Sequence, residues 1–256
     1  AMSEPDLSIV IPAYNEGPEF GPRMKQLAEW LHSHDYGQVE VVVMMQSNDT
    51  SGDVEVEHSF EKHHPGFRTV NLGKRAGKGG AVRAGMFEAR GRYRLFMDAD
   101  LATPLHHLDD VKRLMEQHAN VGIAIRDLVS THKGFLRKFI TRFGNILAQV
   151  ILLPGIEDTQ CGFKVFEAGA AKEVFARQTI TGWGFDLEIL AIARKLGYKI
   201  EMFPADDWKD PKAAGLVGDS AAKAAIQVFR DLINVRWGLI TGRYRHRSFT
   251  YDPHKS

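Results

Sequence analysis

Short apolar runs alternate with amphipathic stretches through the first half of the chain. Leu7-Ser8-Ile9-Val10-Ile11-Pro12 reads as a buried strand stopped by Pro12. Met24, Leu27 and Leu31 fall on one face of a helix from about Pro22 to Ser33. Val39–Met45 predicts a second strand, Phe67–Leu72 a short third, and Tyr93–Asp98 a central one. The Gly-rich segment Gly73–Gly80 leads into a helix through Ala81–Phe87, and Val121–Ile125 is a further strand ending in Arg126. Strand and helix patterns alternate from residue 7 to about 125, so the pattern predicts an α/β fold: a mostly parallel sheet flanked by helices on both faces.

The second half is less regular. Phe135–Leu153 carries Phe135, Phe139, Phe143, Ile146, Leu147 and Val150 at helical spacing, beside Lys133, Arg137, Lys138 and Arg142. Asp158–Phe166 is polar and Gly-containing, then strand-like. Asp186–Leu196 predicts a helix ended by Gly197, Tyr198–Phe203 a last strand, and Ser220 to about Arg243 a last helix. That helix places Phe229, Ile233, Trp237 and Ile240 on one stripe before the basic run Arg243–Arg247. Either striped helix is suited to a membrane interface with anionic lipid, and ordinary core-facing helices carry the same pattern. No repeat or linker divides the chain, so 1–256 is expected to form a single domain.

Composition narrows the class. The chain has 256 residues, 44% of them hydrophobic, enough for a full core. A net charge of +1 gives no overall field for nucleic acid. The lone cysteine, Cys161, allows no disulfide framework; it reads as a packed thiol in a reducing compartment. The start lacks the regions of a secretory leader, and no apolar run approaches the roughly 20 residues that span a bilayer. A cytoplasmic location follows, with the inner membrane face as a peripheral alternative. The histidines, including His63-His64 and His106-His107, lack zinc-ligand spacing and read as surface residues.

The candidate chemistry centres on Tyr93–Leu101, an apolar run that ends in Asp98-Ala99-Asp100. On an extended chain alternate residues point the same way, so the two carboxylates can converge on one cation. Hard oxygen donors suit Mg²⁺ or Mn²⁺, with substrate phosphates completing the coordination. Strand-end loops of a parallel sheet share one edge, which here collects Tyr14, Asn15, Glu16, the 45–53 turn, Asp98, Asp100 and Arg126. A ring, carboxylates and an arginine together suit a nucleoside diphosphate. The Gly73–Gly80 segment is not a phosphate loop, because Gly79 stands where Ser or Thr follows Gly-Lys; Val82 likewise breaks the dinucleotide pattern. A basic Gly-rich loop opening a helix still suits an anion, with Lys78 inside it.

Ile11–Glu16, Gly73–Gly80, Met97–Asp100, Asp158–Lys164 and Trp183–Glu188 occur in this order. The set resembles glycosyltransferase family 2, most of all its dolichyl- and polyprenyl-phosphate glucosyl- and mannosyltransferases. The resemblance spans nearly the whole chain and leans toward the glucosyl branch through Asp158–Lys164 and the Gly-Lys-Gly-Gly-Ala loop. It implies a GT-A nucleotide-binding sandwich, with about 7–125 for the nucleotide sugar and about 126–243 for the acceptor. It implies Asp98 and Asp100 as ligands of Mg²⁺ or Mn²⁺ on the donor diphosphate. Pro12, Ala13, Tyr14, Glu16, Val43, Gln46, Lys78 and Ala99 would line the nucleotide sugar, and Arg126 would face phosphate. Arg137, Thr141, Arg142, Gln160 and Trp183 would meet the acceptor.

The family's Asp-Asp-Gly-Ser after the second strand is Met44-Met45-Gln46-Ser47 here, so base recognition is expected to pass to Gln46, Asn48 or Asp49. The Gln that mannosyl members carry after the metal carboxylates is Ala102. The implied activity is inverting transfer of a hexose, glucose before mannose, from a UDP- or GDP-sugar to a polyprenyl or dolichyl phosphate. The alternatives are transfer to a soluble hydroxyl acceptor and a degenerate nucleotide-sugar-binding module. A lipid phosphate is already anionic at neutral pH and needs no general base; a hydroxyl does, and Asp186 or Glu188 would serve.

Overall fold

The structure is a computed structural model that describes residues 4–46, 64–126, 149–208, 219–246 and 249. The elements run β1 (Leu7–Ala13), α1 (Phe20–Ser33), β2 (Val39–Met45), β3 (Phe67–Asn71), α2 (Gly77–Glu88), β4 (Tyr93–Met97), α3 (Leu108–Glu116) and β5 (Val121–Arg126). They continue with β6 (Phe163–Glu167), α4 (Ala168–Phe175), α5 (Phe185–Lys195), β7 (Ile200–Ala205) and α6 (Asp219–Thr241). The seven strands lie in one sheet ordered β3-β2-β1-β4-β6-β5-β7. β6 is antiparallel to β4 and to β5, while β1–β2, β1–β4, β2–β3 and β5–β7 pair in parallel. Among the described residues β6 is therefore the one reversed strand, and its amino end lies beside the carboxyl ends of its neighbours.

The central strands β1, β2 and β4 are buried on both faces, which is why they read as continuous apolar runs, whereas the edge strands β3 and β7 are partly exposed. Val10, Val42, Met44 and Phe96 enter one core with α2, α4, α5 and α6. Ile9, Ile11, Val41, Val43, Met45 and Leu95 enter the other with α1 and α3. Met44 and Met45 thus pack in opposite cores.

Several boundaries differ from the sequence reading. The helix begins at Gly77, inside the Gly-rich segment rather than after it. Its apolar spacing is hidden because Gly79, Gly80 and Gly85 are its packing residues. β4 stops at Met97, and Asp98–Leu101 is a turn closed by the Leu101 N–H donating to Asp98 O (3.2 Å). The two acids are therefore gathered by a reversal, not by an extended strand. α3 and α4 were not separately anticipated; each is short, at 9 and 8 residues. His107 is buried, bonded to Asp110 Oδ2 and Asp206 O, and so is no surface residue. Of the helix expected at Phe135–Leu153, residues 135–148 lie outside the described residues, as do the 47–53 turn and His63.

Candidate active site

β1 sits at the centre of β3-β2-β1-β4, where chain progression switches from one side to the other. The crevice at that switch point, beyond the carboxyl ends of β1 and β4, is where open α/β sheets bind ligands. Tyr14 follows β1, Gln46 follows β2, Asp98 and Asp100 follow β4, and Arg126 closes β5. Asn15 and Leu101 both adopt left-handed backbone at this edge, with φ of 52° each. Such conformations are costly in bulky residues and concentrate at functional sites.

Asp98 is half-buried. Its N–H donates to Gly162 O (3.2 Å), and its Oδ1 lies 2.7 Å from the Lys78 ammonium. A Cβ on Gly162 would overlap the Asp98 carboxylate, so glycine there is what admits the acid. Asp100 Oδ1 accepts from the Ala102 N–H (3.1 Å). Burial works to lower the Lys78 pKa, but Asp98, Asp186 and Asp100 outweigh it and the pKa rises. One ammonium thus feels all three carboxylates. Among the described residues no third His, Cys, Asp or Glu joins these two acids in a metal-holding cluster. Two hard carboxylates at an open edge fit Mg²⁺ or Mn²⁺ completed by substrate phosphates.

Arg126 is clamped by Asp158: Nε donates to Oδ2 (2.6 Å), Nη2 to Oδ1 (2.9 Å) and its own N–H to Oδ2 (3.2 Å). Its guanidinium also lies 5.0 Å from the Trp208 ring centroid. Burial works to raise the Asp158 pKa; the Arg126 pair overrides it and holds the carboxyl below its ordinary range. Arg126 is a positioned cation at the edge, with its bidentate face committed to Asp158.

The two acids read as candidates for a general base are both buried and engaged in other bonds. Asp186 is buried and ion-paired with the fully buried Lys164, whose ammonium also donates to Cys161 O. Burial, foremost, pushes its pKa up against the pull of Lys164 and Lys78. Glu188 is 0% exposed and accepts from Thr179 N–H and O–H, Ile180 N–H and Tyr244 O–H. Asp186 therefore sets the charge beneath the site, and Glu188 ties a loop to the C-terminal segment. Cys161 is buried as expected, its thiol pushed up to about 12 chiefly by burial.

Pro12, Ala13, Val43 and Ala99 are buried, the last three in the core, so only their backbones can border a ligand. Tyr14 is half-buried with the Arg75 guanidinium 5.0 Å from its ring centroid, and Glu16 is half-buried at the same edge. Gln46 is buried, and its Oε1 accepts from the Ala76 and Gly77 N–H groups (2.8 and 3.2 Å), holding the start of α2. Trp183 is 71% exposed, its ring centroid 4.9 Å from Lys78 Nζ, which places it beside the cation that pairs with Asp98. Gln160 is half-buried and its N–H donates to Asp158 Oδ1. Arg137, Thr141, Arg142, Asn48 and Asp49 lie outside the described residues.

Lys164, Asp158 and Gly162 were missed as individual site residues. The available signal was a lysine inside the apolar run Phe163-Lys164-Val165-Phe166, since a fully buried lysine requires a partner.

The sequence profile of the family described as "Glycosyl transferase family 2" matches residues 8–175. Dolichyl-phosphate beta-glucosyltransferase of Dictyostelium discoideum is 28% identical over 94% of this chain and 77% of its own length. A relative of the same description from Trichomonas vaginalis is 32% identical, over 87% of this chain and 73% of its own. Among solved structures, a mannosyltransferase of Pyrobaculum calidifontis in complex with GDP-Man and Mn²⁺ superposes with a TM-score of 0.57 at 14% identity, covering 99% of this chain and 78% of that one.

Proposed function

Because this chain belongs to glycosyl transferase family 2, we propose that it transfers a hexose with inversion, glucose from UDP-glucose before mannose from GDP-mannose, to a dolichyl or polyprenyl phosphate. The observation that carries this reading is the meeting of Asp98, Asp100 and Lys78 at the sheet's switch point in a chain whose relatives bear the dolichyl-phosphate glucosyltransferase description. Asp98 and Asp100 would hold Mg²⁺ or Mn²⁺. A divalent ion bound there supplies positive charge to the diphosphate as it departs. Lys78 and Arg126 add positive charge near the same developing negative charge, Arg126 held in place by Asp158. Tyr14 and Glu16 border the nucleotide, and Trp183 and Gln160 stand on the acceptor side.

The lipid phosphate is favoured over a hydroxyl acceptor for a chemical reason. A hydroxyl must lose its proton, and the two acids that could take it are buried in other bonds. A phosphate acceptor is already anionic, its second pKa being about 6. The exposed side of α6 supports a lipid surface: Ile226, Phe229, Ile233, Trp237 and Ile240 form an uncovered stripe, with Arg230 in the shallow groove beside them. Among the described residues no helix is long and apolar enough to cross a membrane. The reading is thus of one domain lying against an anionic membrane face.

The test supplies UDP-glucose, Mn²⁺ and dolichyl phosphate in detergent and follows glucose into the lipid fraction. Transfer to lipid is expected. Transfer to soluble hydroxyl acceptors alone would favour the runner-up, and donor binding with no transfer would favour a binding module.

A further inference from the structure

Lys78 is the second residue of α2, and its ammonium takes Asp98 Oδ1 at 2.7 Å. The helix start that carries it is fixed on two sides. Gln46 Oε1 accepts from the Ala76 and Gly77 N–H groups, and a Cβ on Gly77 would lie 2.6 Å from Thr181 O. The ammonium also lies over the indole of Trp183, 4.9 Å from its ring centroid. The cation is therefore delivered to Asp98 by a rigid element and retained by an aromatic face. Its side chain is largely shielded, at 14% exposure, so water competes weakly for it.

The carboxylate it holds is one that the functional reading above gives to the divalent ion. An oxygen ligand of Mg²⁺ stands at about 2.0–2.1 Å from the ion. A divalent ion at that range and an ammonium on the same carboxylate oxygen repel each other. We propose that Lys78 is an internal competitor for the divalent cation at Asp98, and that the donor's phosphates resolve the competition by giving the released ammonium a new anionic partner. This rests on Asp98 being a metal ligand.

Two consequences follow. The metal alone binds weakly, because its apparent affinity is reduced by the fraction of molecules in which Asp98 is free of Lys78. Metal and nucleotide diphosphate strengthen each other's binding, and part of that coupling belongs to Lys78. The site would load the ion and the donor together and hold little metal in the donor's absence.

The probe is Mn²⁺ alone, with the free ion followed by electron paramagnetic resonance and no nucleotide present. Lys78→Gln is expected to bind Mn²⁺ about tenfold more tightly than the unaltered chain, the change for an Asp98 that is free about a tenth of the time. Lys78→Arg, which keeps the charge, should stay near the unaltered affinity, and Lys78→Gln with Asp98→Asn should lose the gain. Adding UDP should raise Mn²⁺ affinity less in Lys78→Gln than in the unaltered chain. Equal or weaker binding by Lys78→Gln, or no binding by either protein, overturns the competition. A gain that survives Asp98→Asn instead overturns the metal reading of Asp98, so the two failures are distinguishable. Should Lys78→Gln not fold, the unaltered chain still answers. Trp183 emission, taken as the difference from Trp183→Phe, should shift when Mg²⁺ and UDP pull the ammonium from the ring; an unmoved spectrum with both bound overturns the proposal.

Discussion

Glu188 separates a structural carboxylate from a catalytic one. Its two oxygens accept from Thr179, Ile180 and Tyr244, which joins the segment before α5 to the turn after α6. Glu188→Ala strands several buried donors, and each unsatisfied buried group costs about 1–3 kcal/mol. A loss of about 3 kcal/mol is expected, which for a chain of this size lowers Tm by roughly 6–12 °C. A thermal melt reads it directly; an intact Tm with abolished transfer would restore Glu188 as a base. Asp158 gives a pH signature. Its folded pKa lies below the unfolded one because Arg126 outweighs burial, so the unfolded chain binds the extra proton. The stability it contributes is present above the unfolded carboxylate pKa and disappears as pH falls toward the depressed folded value. Melts between neutral pH and about pH 3 should therefore show a steeper acid decline in the unaltered chain than in Asp158→Asn. At this scale the sequence put Asp98 and Asp100 at the end of an apolar strand, a pattern that an ordinary turn also produces, and the structure places both directly after β4 near Lys78. Asp158–Arg126 and Lys164–Asp186 are pairs across 32 and 22 positions, and no local pattern encodes which partner each will find.

Among the elements, α2 was the least legible and is the most informative. Its packing face is made of small residues, so a reading based on apolar spacing sees a loop where there is a helix. Gly79 packs against the first residue of α5: a Cβ there would lie 2.6 Å from Phe185 Cβ and 2.9 Å from Ile180 O. Alanine is the better helix former by about 1 kcal/mol, so propensity alone predicts that Gly79→Ala stabilises. The close approach opposes this, and overpacking of a filled core costs about 1–3 kcal/mol. Gly79→Ala should therefore lower the midpoint of chemical denaturation. Gly182→Ala, where no atom lies within 4 Å of the added carbon, should stay within about 0.5 kcal/mol. A stabilised Gly79→Ala would mean that α2 can move away from α5, and that Lys78 is less firmly placed than argued. The turn at Asp98–Leu101 was misread for a related reason: its left-handed residue is Leu101, and leucine gives no turn signal.

For the whole molecule, alternation of strands and helices was enough to predict a mostly parallel sheet, and the switch point beside β1 follows from its order. The reversed β6 was not visible, because a strand's direction depends on where the chain re-enters the sheet. The two faces of α6 also needed the structure. Leu232, Val235 and Asp231 turn inward, and a Cβ on Gly184 would collide with the Asp231 carboxylate, so the helix is seated on the start of α5. The uncovered stripe looks outward from that seat, and Trp237 on it is 61% exposed. Spacing alone could not separate a core face from a surface face; burial of the opposite side does. If the outer stripe meets lipid, its removal should leave folding intact and weaken membrane attachment. Ile233→Asp replaces an exposed apolar group, so Tm should move little, since surface changes usually stay within about 0.5 kcal/mol. Full burial of one such side chain contributes about 1.5–3 kcal/mol, so flotation with anionic vesicles should weaken by about tenfold or more. Arg230→Gln should weaken it mainly at low salt, because headgroup attraction is screened beyond a Debye length. Vesicle binding unchanged by both substitutions would place the lipid contact elsewhere on the chain and leave the α6 stripe without that role.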